Sequence, residues 1–352
     1  MKKEESGALQ GIAVLLMIFH HCFLYPSMFL DGFLRDPEFT TRLAASFRIC
    51  IAICAFVSGY GIFHVLSRKD GYREEYPDMF RRIIRLYGRY WFAVTVTVIV
   101  ELIVEGSEFT WRELPGNLTA FDPTYNSTWW YVREYMFMLL LAPVIKSLLQ
   151  GEKKRRLSLL IPLAVLIVLG GSLILIPGGR DMILSVREYV QMILIIVFSE
   201  GYLAAFIQDR LGSNGKQNHK EMSRGMMIAT GIILTAVATA ARFMLTTEAG
   251  DSKPDILIAP VFIYGCVVVL RSFPQVRKIF GFLGRNLLYM WFIHGLIWKH
   301  SFVFLTSRTL PIVYYAVVVI SSLLASMIMS KAEEIVVKKA SLIKHKQNGT
   351  EI

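Results

Sequence analysis

The chain has 352 residues, of which 54% are hydrophobic and only 18% are charged, and its mean hydropathy is +0.49. Soluble globular domains carry about a quarter charged residues, so this composition excludes an ordinary soluble protein. The formal net charge is +11, but the cations stand in short groups between long apolar runs. That pattern is typical of the basic loops of a multi-pass membrane protein, and no nucleic-acid partner is predicted.

Apolar runs long enough to form membrane-crossing helices follow one another along the chain. They predict an all-α, polytopic integral membrane protein with about ten transmembrane helices, located in the cell inner or plasma membrane. An integral membrane domain is predicted over residues 1–334 and a basic cytoplasmic tail over 335–352. The predicted spans are 8–30, 43–66, 83–104, 129–149, 157–177, 185–207, 225–245, 255–271, 280–304 and 311–332.

The cations between the spans predict which side of the membrane each loop faces. If both termini are cytoplasmic, the inside segments hold 27 Lys and Arg residues and the outside loops hold 7. Loops rich in Lys and Arg stay in the cytoplasm. The asymmetry therefore predicts cytoplasmic N- and C-termini, and it places residues 105–128 outside.

The first span contains "GIAVLLMIFHHCFLYP" (11–26), with two adjacent histidines, His20 and His21. Titratable groups inside a membrane are costly, so each is a candidate functional residue. Successive helical residues point about 100° apart; His20 is therefore expected to pack or hydrogen-bond elsewhere, and neighbouring positions cannot converge on a metal ion. No metal site is predicted. One helix face holds Gln10, Val14, Met17, His21 and Tyr25.

Four segments resemble the signatures of the acyltransferase family three membrane proteins. "LQGIAVLLMIFHH" is similar to the first-helix signature, R/K-G-I-A followed by a hydrophobic run and His. The others are "CAFVSGYGIF" (54–63), similar to F-F-x-x-S-G-[FY]; "TWWYVREYMFMLLLAPV" (128–144), similar to W-[SF]-L-x-x-E with its aromatic, Leu-rich and Pro block; and "LGRNLLYMWFIHGLIWK" (283–299), similar to L-G-x-x-S-L-x-[IL]-Y-x-x-H. Their order and the ten-span topology are the family's.

The resemblance implies transfer of an acyl group, usually acetyl, from cytoplasmic acyl-CoA to a hydroxyl of a cell-envelope or exported carbohydrate. His21 matches the family's essential histidine; an imidazole can take the proton of a sugar hydroxyl as it attacks a thioester. Direct transfer and an acyl-histidine relay both stay open. Acetyl-CoA or another acyl-CoA is then a donor substrate, and no permanently bound cofactor is expected. The expected partners are acyl-CoA, a carbohydrate or lipid-linked saccharide acceptor and membrane lipid, with a homo-oligomer or an extracytoplasmic partner left open.

Further candidate site residues follow from the same motifs. Glu134 is a candidate catalytic residue that orients His21 or steers the acceptor, and pairing with Arg133 is its alternative role. Ser58 is a candidate binding residue, and helix packing through small residues is its alternative role. The motif positions proposed for substrate or donor binding are Gln10, Ser58, Trp130 and His294.

The first-helix signature is incomplete in this chain. Its cation, eleven residues before the histidine, is Gln10 here, and a neutral amide adds no Coulomb attraction to a phosphate. If the family's cation binds a phosphate of CoA, other residues must supply that charge. The candidates are Arg48, Arg81, Arg82 and Arg85, and the inside segment 67–89, with seven cations, is predicted to contact the CoA nucleotide.

From the residues alone, a second class of function stays open. A polytopic transporter, flippase or polysaccharide polymerase also carries titratable groups inside the membrane. The sequence has no visible inverted repeat and no pair of broken helices in equivalent halves, as many transporters have. The longest predicted outside loop, 105–128, is short for a polymerase.

Overall fold

The structure is a computed structural model that describes residues 1–25, 29, 33–104, 110–151, 186–213, 223–246, 252–306 and 309–348. Within these ranges all regular structure is helical, as predicted. The α-helices are α1 (Lys3–Phe23), α2 (Pro37–Ser46), α3 (Ile49–Leu66), α4 (Tyr72–Val104), α5 (Leu114–Thr119), α6 (Trp130–Gln150), α7 (Val186–Ser213), α8 (Arg224–Leu245), α9 (Asp255–Ser272), α10 (Pro274–Thr306) and α11 (Pro311–Asn348).

Seven segments of the described chain are long and apolar enough to cross a membrane. They are α1, α2 together with α3, α4, Gln191–Gly212 of α7, α8, α9 and Pro311–Lys338 of α11. The predicted spans 129–149 and 280–304 are helical, as α6 and α10, but are not among the seven. The predicted span 157–177 lies outside the described residues. The multi-span, all-helical class is therefore confirmed, whereas the number of ten and the orientation of the termini stay predictions.

The predicted second span, 43–66, is two helices rather than one. The side chain of Asp36 caps α2 by accepting a hydrogen bond from the Phe39 N–H (2.9 Å). This helix stops at Ser46, and α3 starts three residues later. Neither Gly nor Pro marks the break, so the apolar pattern gave no sign of it. Arg48 consequently lies at the junction of two helices.

Glycines allow α1 and α10 to pack backbone against backbone. A Cβ added to Gly11 would lie 1.9 Å from the Phe280 carbonyl oxygen, and one added to Gly284 would lie 1.8 Å from the Gly7 carbonyl oxygen. No side chain fits in either place, as is typical of close helix contacts in membranes. Residues 7–11 thus lie beside 280–284. Glu4 pairs with Arg277 before this contact and His21 with His294 after it, so the two helices run parallel.

Chain segments predicted to be cytoplasmic gather at one end of the bundle. The Met1 amino group donates hydrogen bonds to Tyr60 Oη (2.5 Å) and Gln208 Oε1 (2.6 Å). Arg271 Nε pairs with Glu5 Oε1 at 2.8 Å. The start of α1 and the ends of α3, α7 and α9 therefore lie together, as an alternating path of the chain requires.

Candidate active site

A cavity of about 630 Å³ lies between α1, α3, α4, α6 and α10, and its size is typical of small-molecule sites. All five residues of the predicted first-helix face line it. The helical face is confirmed for Gln10, Val14, Met17 and His21, whereas Tyr25 lies two residues after α1 ends. Of the residues predicted for the site, the cavity is lined by Gln10, His21, Arg48, Ser58, Arg82, Arg85 and Trp130. The helices thus bring together residues from three distant motifs, with Arg48, Arg82 and Arg85 from the chain between them.

His294 of α10 is hydrogen-bonded to His21. Its Nε2 lies 2.9 Å from His21 Nδ1, and its Nδ1 lies 2.7 Å from the Trp291 carbonyl oxygen. A carbonyl can only accept, so His294 Nδ1 carries its proton, and Nε2 of the neutral ring accepts from His21 Nδ1–H. This tautomer assignment, made from the hydrogen-bond network, leaves His21 Nε2 unprotonated. His294 is fully buried. Its two hydrogen bonds fix the tautomer of His21, the ring that lines the cavity.

His20 borders the same cavity but is bonded elsewhere. Its Nδ1 lies 2.7 Å from the Ala44 carbonyl oxygen, in the last turn of α2. Because a carbonyl accepts, His20 Nδ1 donates. His20 therefore ties α1 to α2, in line with the hydrogen-bonding role expected from its azimuth.

Glu134 is not among the cavity-lining residues. Its Oε1 accepts hydrogen bonds from Arg133 Nη2 (2.5 Å) and Nε (2.9 Å), and both side chains are buried. Pairing with Arg133 is the alternative role that the sequence left open. The His21 ring is hydrogen-bonded to His294, so the orientation of His21 is assigned to His294, and Glu134 has no part in the mechanism proposed below.

A group of guanidinium side chains lines one end of the cavity. It consists of Arg82, Arg85, Arg89 and Arg285. Arg81, which the sequence also suggested, pairs instead with Asp78 at 2.5 Å. Planar guanidinium groups bind phosphates through paired N–H donors, so the group suits an oligophosphate.

Sequence reasoning did not single out Arg89, which belongs to the predicted segment 67–89, and it missed Arg285. The spacing of Arg82, Arg85 and Arg89 puts all three on one helix face, and this signal could have identified the third. Arg89 also pairs with Glu333 at 2.8 Å. For Arg285 the sequence carries no such signal, because only the contact of α10 with α1 brings it to the cavity.

Arg48 lines the cavity near the histidines rather than in the guanidinium group. Helix α3 runs antiparallel to α1: Tyr60, near its end, contacts Met1, whereas Arg48, at its start, interacts electrostatically with His20 and His21. Its charge therefore lies near the two histidines. That position suits a reacting carbonyl group better than a phosphate.

A comparison with known families shows which family the chain belongs to. A family model described as an acyltransferase domain matches residues 6–331, nearly the whole chain. The chain belongs to the acyltransferase 3 family. The resemblance of the four segments is confirmed, and the chain is a membrane protein of an acyl-transferring family. No curated protein and no solved structure matches it.

The acyltransferase 3 motif around Ser58 places its two small residues in different surroundings. A Cβ added to Gly59 would lie 1.9 Å from the Phe198 carbonyl oxygen, so the glycine is the residue that allows close packing of α3 on α7. Ser58 instead lines the cavity and is hydrogen-bonded to Tyr135. Close helix packing therefore depends on Gly59, and a role of Ser58 in substrate or donor binding stays a prediction.

Proposed function

We propose that this acyltransferase 3 protein transfers an acyl group, with acetyl as the expected group, from cytoplasmic acyl-CoA to a hydroxyl of a cell-envelope carbohydrate. The observation that carries the proposal is the hydrogen bond between His294 Nε2 and His21 Nδ1 (2.9 Å), in a cavity with guanidinium groups at one end. It supports a positioned base beside a site for a phosphate-bearing donor.

In the proposed reaction His21 acts as the base. Its Nε2 takes the proton of the acceptor hydroxyl as the hydroxyl oxygen attacks the thioester carbonyl. The carbon–sulfur bond then breaks, and the CoA sulfur leaves with the proton from His21 Nε2. In the relay alternative, Nε2 of the same tautomer attacks the thioester carbonyl, the carbon–sulfur bond breaks and CoA leaves as the thiolate. The acceptor hydroxyl then attacks the acyl group on Nε2, the carbon–nitrogen bond breaks, and the hydroxyl proton is taken up by the CoA thiolate. In both versions the His294 contact keeps the proton on Nδ1.

Arg48 is proposed to stabilise the negative charge that develops on the thioester oxygen. Its guanidinium lines the cavity and interacts electrostatically with His21. Fixed positive charge near a developing oxyanion contributes strongly to acyl transfer in a site that excludes water. Arg48 thus has a role in the chemical step, separate from phosphate binding.

The donor nucleotide is proposed to bind at the guanidinium group. Gln10 lines the cavity with Arg82 and Arg85, and it stands eleven residues, about 16 Å, from His21 along α1. An extended pantetheine arm bridges a separation of this kind. The phosphates would therefore remain at the end of the cavity while the thioester reaches His21.

The acceptor is proposed to bind at the opposite end of the cavity, beyond His21. Aromatic side chains line the cavity there, namely Tyr25, Trp130 and Trp298. Within the described part of the chain, the buried Trp298 Nε1 has no hydrogen-bond acceptor. An indole ring offers an apolar face and one N–H donor, which together suit a sugar ring and one of its oxygens.

The proposal is tested with purified protein in nanodiscs and labelled acetyl-CoA, with a membrane extract as the source of acceptor. Thioester cleavage and transfer of label are expected for the native chain and not for His21→Ala. A transporter, flippase or polymerase does not cleave the thioester. Equal CoA release by the native chain and His21→Ala would contradict acyl transfer through His21. Family membership already favours acyl transfer over these alternatives.

A further inference from the structure

One member of the guanidinium group comes from a different helix than the other three. Arg82, Arg85 and Arg89 share one face of α4, whereas Arg285 belongs to α10. An isolated cation at this end of a membrane protein is most simply a loop charge. Arg285 differs from such a charge because it lines the cavity that contains His21.

The packing of α1 on α10 brings Arg285 to the side of Gln10. A Cβ added to Gly284 would lie 1.8 Å from the Gly7 carbonyl oxygen and 3.1 Å from the Gly11 backbone nitrogen. Gln10 comes directly before Gly11, and Arg285 comes directly after Gly284. Both side chains line the cavity. The two side chains therefore occupy the same level of the same wall.

Arg285 also has donors available for a ligand. Among the described residues no carboxylate lies within ion-pair distance of it; its recorded contact is with the Phe282 ring, 5.7 Å from the guanidinium carbon. A contact with an aromatic ring one turn away on the same helix is a weak interaction of the guanidinium charge. The five N–H groups of the guanidinium remain able to donate to phosphate oxygens.

From these observations we propose that Arg285 binds a phosphate of the acyl-CoA donor and supplies, from α10, the positive charge that α1 lacks at Gln10. The inference rests on the proposed function. It adds a residue that determines donor affinity, and it predicts that the position of the charge can be exchanged between the two helices.

Isothermal titration of the full chain in nanodiscs with CoA alone, without acceptor, tests the inference. Arg285→Gln should raise the Kd for CoA about 10-fold, because a charge-assisted hydrogen bond is lost. Arg285→Lys should recover part of the affinity, and Gln10→Arg in the Arg285→Gln background should recover most of it. The matched control is Lys278→Gln, which removes an exposed cation from the same helix and should leave the Kd unchanged.

The outcomes separate the inference from the function on which it rests. If the native chain does not bind CoA, the proposed donor is wrong. If the native chain binds CoA and Arg285→Gln binds it equally well, the inference alone is wrong. A changed dependence on anionic lipid with an unchanged Kd for CoA would assign Arg285 to a lipid headgroup and overturn it. Folded Gln10→Arg, Arg285→Gln protein without recovered affinity would contradict the exchange of charge.

Discussion

His21 Nδ1 and His294 Nε2 lie 2.9 Å apart, although 273 positions separate the two residues in the chain. The parallel contact of α1 with α10 brings them together, and glycines make that contact possible. The Trp291 carbonyl, 2.7 Å from His294 Nδ1, sets the direction of both protons. A backbone group of one helix thus determines the protonated nitrogen of a side chain on another.

The clearest consequence concerns the two neighbouring histidines. His21→Ala should lower kcat by about 10²–10⁴, the usual effect of removing a positioned base. His20→Ala should retain most of the activity, because His20 Nδ1 is bonded to the Ala44 carbonyl. Acetyl transfer by both variants at matched expression is the measurement. An inactive His20→Ala beside an active His21→Ala would contradict the proposed site.

His294 is a positioning residue, so the kcat of its variants should depend on whether the new side chain can accept a hydrogen bond. His294→Leu removes the Nε2 acceptor of His21 Nδ1–H, which costs about 1–3 kcal/mol, or roughly a tenfold to hundredfold loss in kcat. His294→Gln offers an amide oxygen and should retain more activity. The KM for acyl-CoA should not change in either variant. Equal losses in Leu and Gln variants of equal stability would indicate a packing role only.

Arg48 and Arg82 should differ in the kinetic parameter that each affects. Arg48→Gln should lower kcat with little change in the KM for acyl-CoA, because Arg48 lies near His21. Arg82→Gln with Arg85→Gln should raise the KM, since both line the guanidinium end of the cavity. Steady-state kinetics over a range of acyl-CoA concentrations distinguishes the two. A KM effect from Arg48→Gln alone would return Arg48 to the donor phosphate.

The sequence predicted the parts of the site that lie on one helix better than the contacts between two helices. The face of Gln10 and His21 follows from helical periodicity alone, and the structure reproduces it. The hydrogen bond to His294 and the presence of Arg285 depend on how α10 packs, which periodicity does not contain. The break at Arg48 was missed because no Gly or Pro marks it. Contacts between distant helices therefore determine the parts of the site that could not be predicted from the sequence.

The helix contact itself makes a prediction about stability. Gly11→Ala should destabilise the protein by about 1–3 kcal/mol, because the added Cβ would lie 1.9 Å from the Phe280 carbonyl oxygen. The control is Gly7→Ala on the same helix, where no atom lies within 4 Å of the added Cβ; it should be neutral or slightly stabilising. Thermal unfolding in detergent compares the two. An unchanged melting temperature for Gly11→Ala would contradict the close approach of α1 and α10.

The last prediction concerns orientation in the membrane. Residues 67–89 carry seven of the cations, and the positive-inside rule places them in the cytoplasm and residues 105–128 outside. In a variant without the native cysteines, a cysteine at Arg112 should react with a membrane-impermeant maleimide in intact cells. A cysteine at Arg68 should react only after the membrane is opened. Both positions are exposed, so accessibility to the reagent reports the side of the membrane rather than burial. Labelling at Arg68 but not at Arg112 in intact cells would reverse the orientation and would put the proposed CoA site on the wrong side for a cytoplasmic donor.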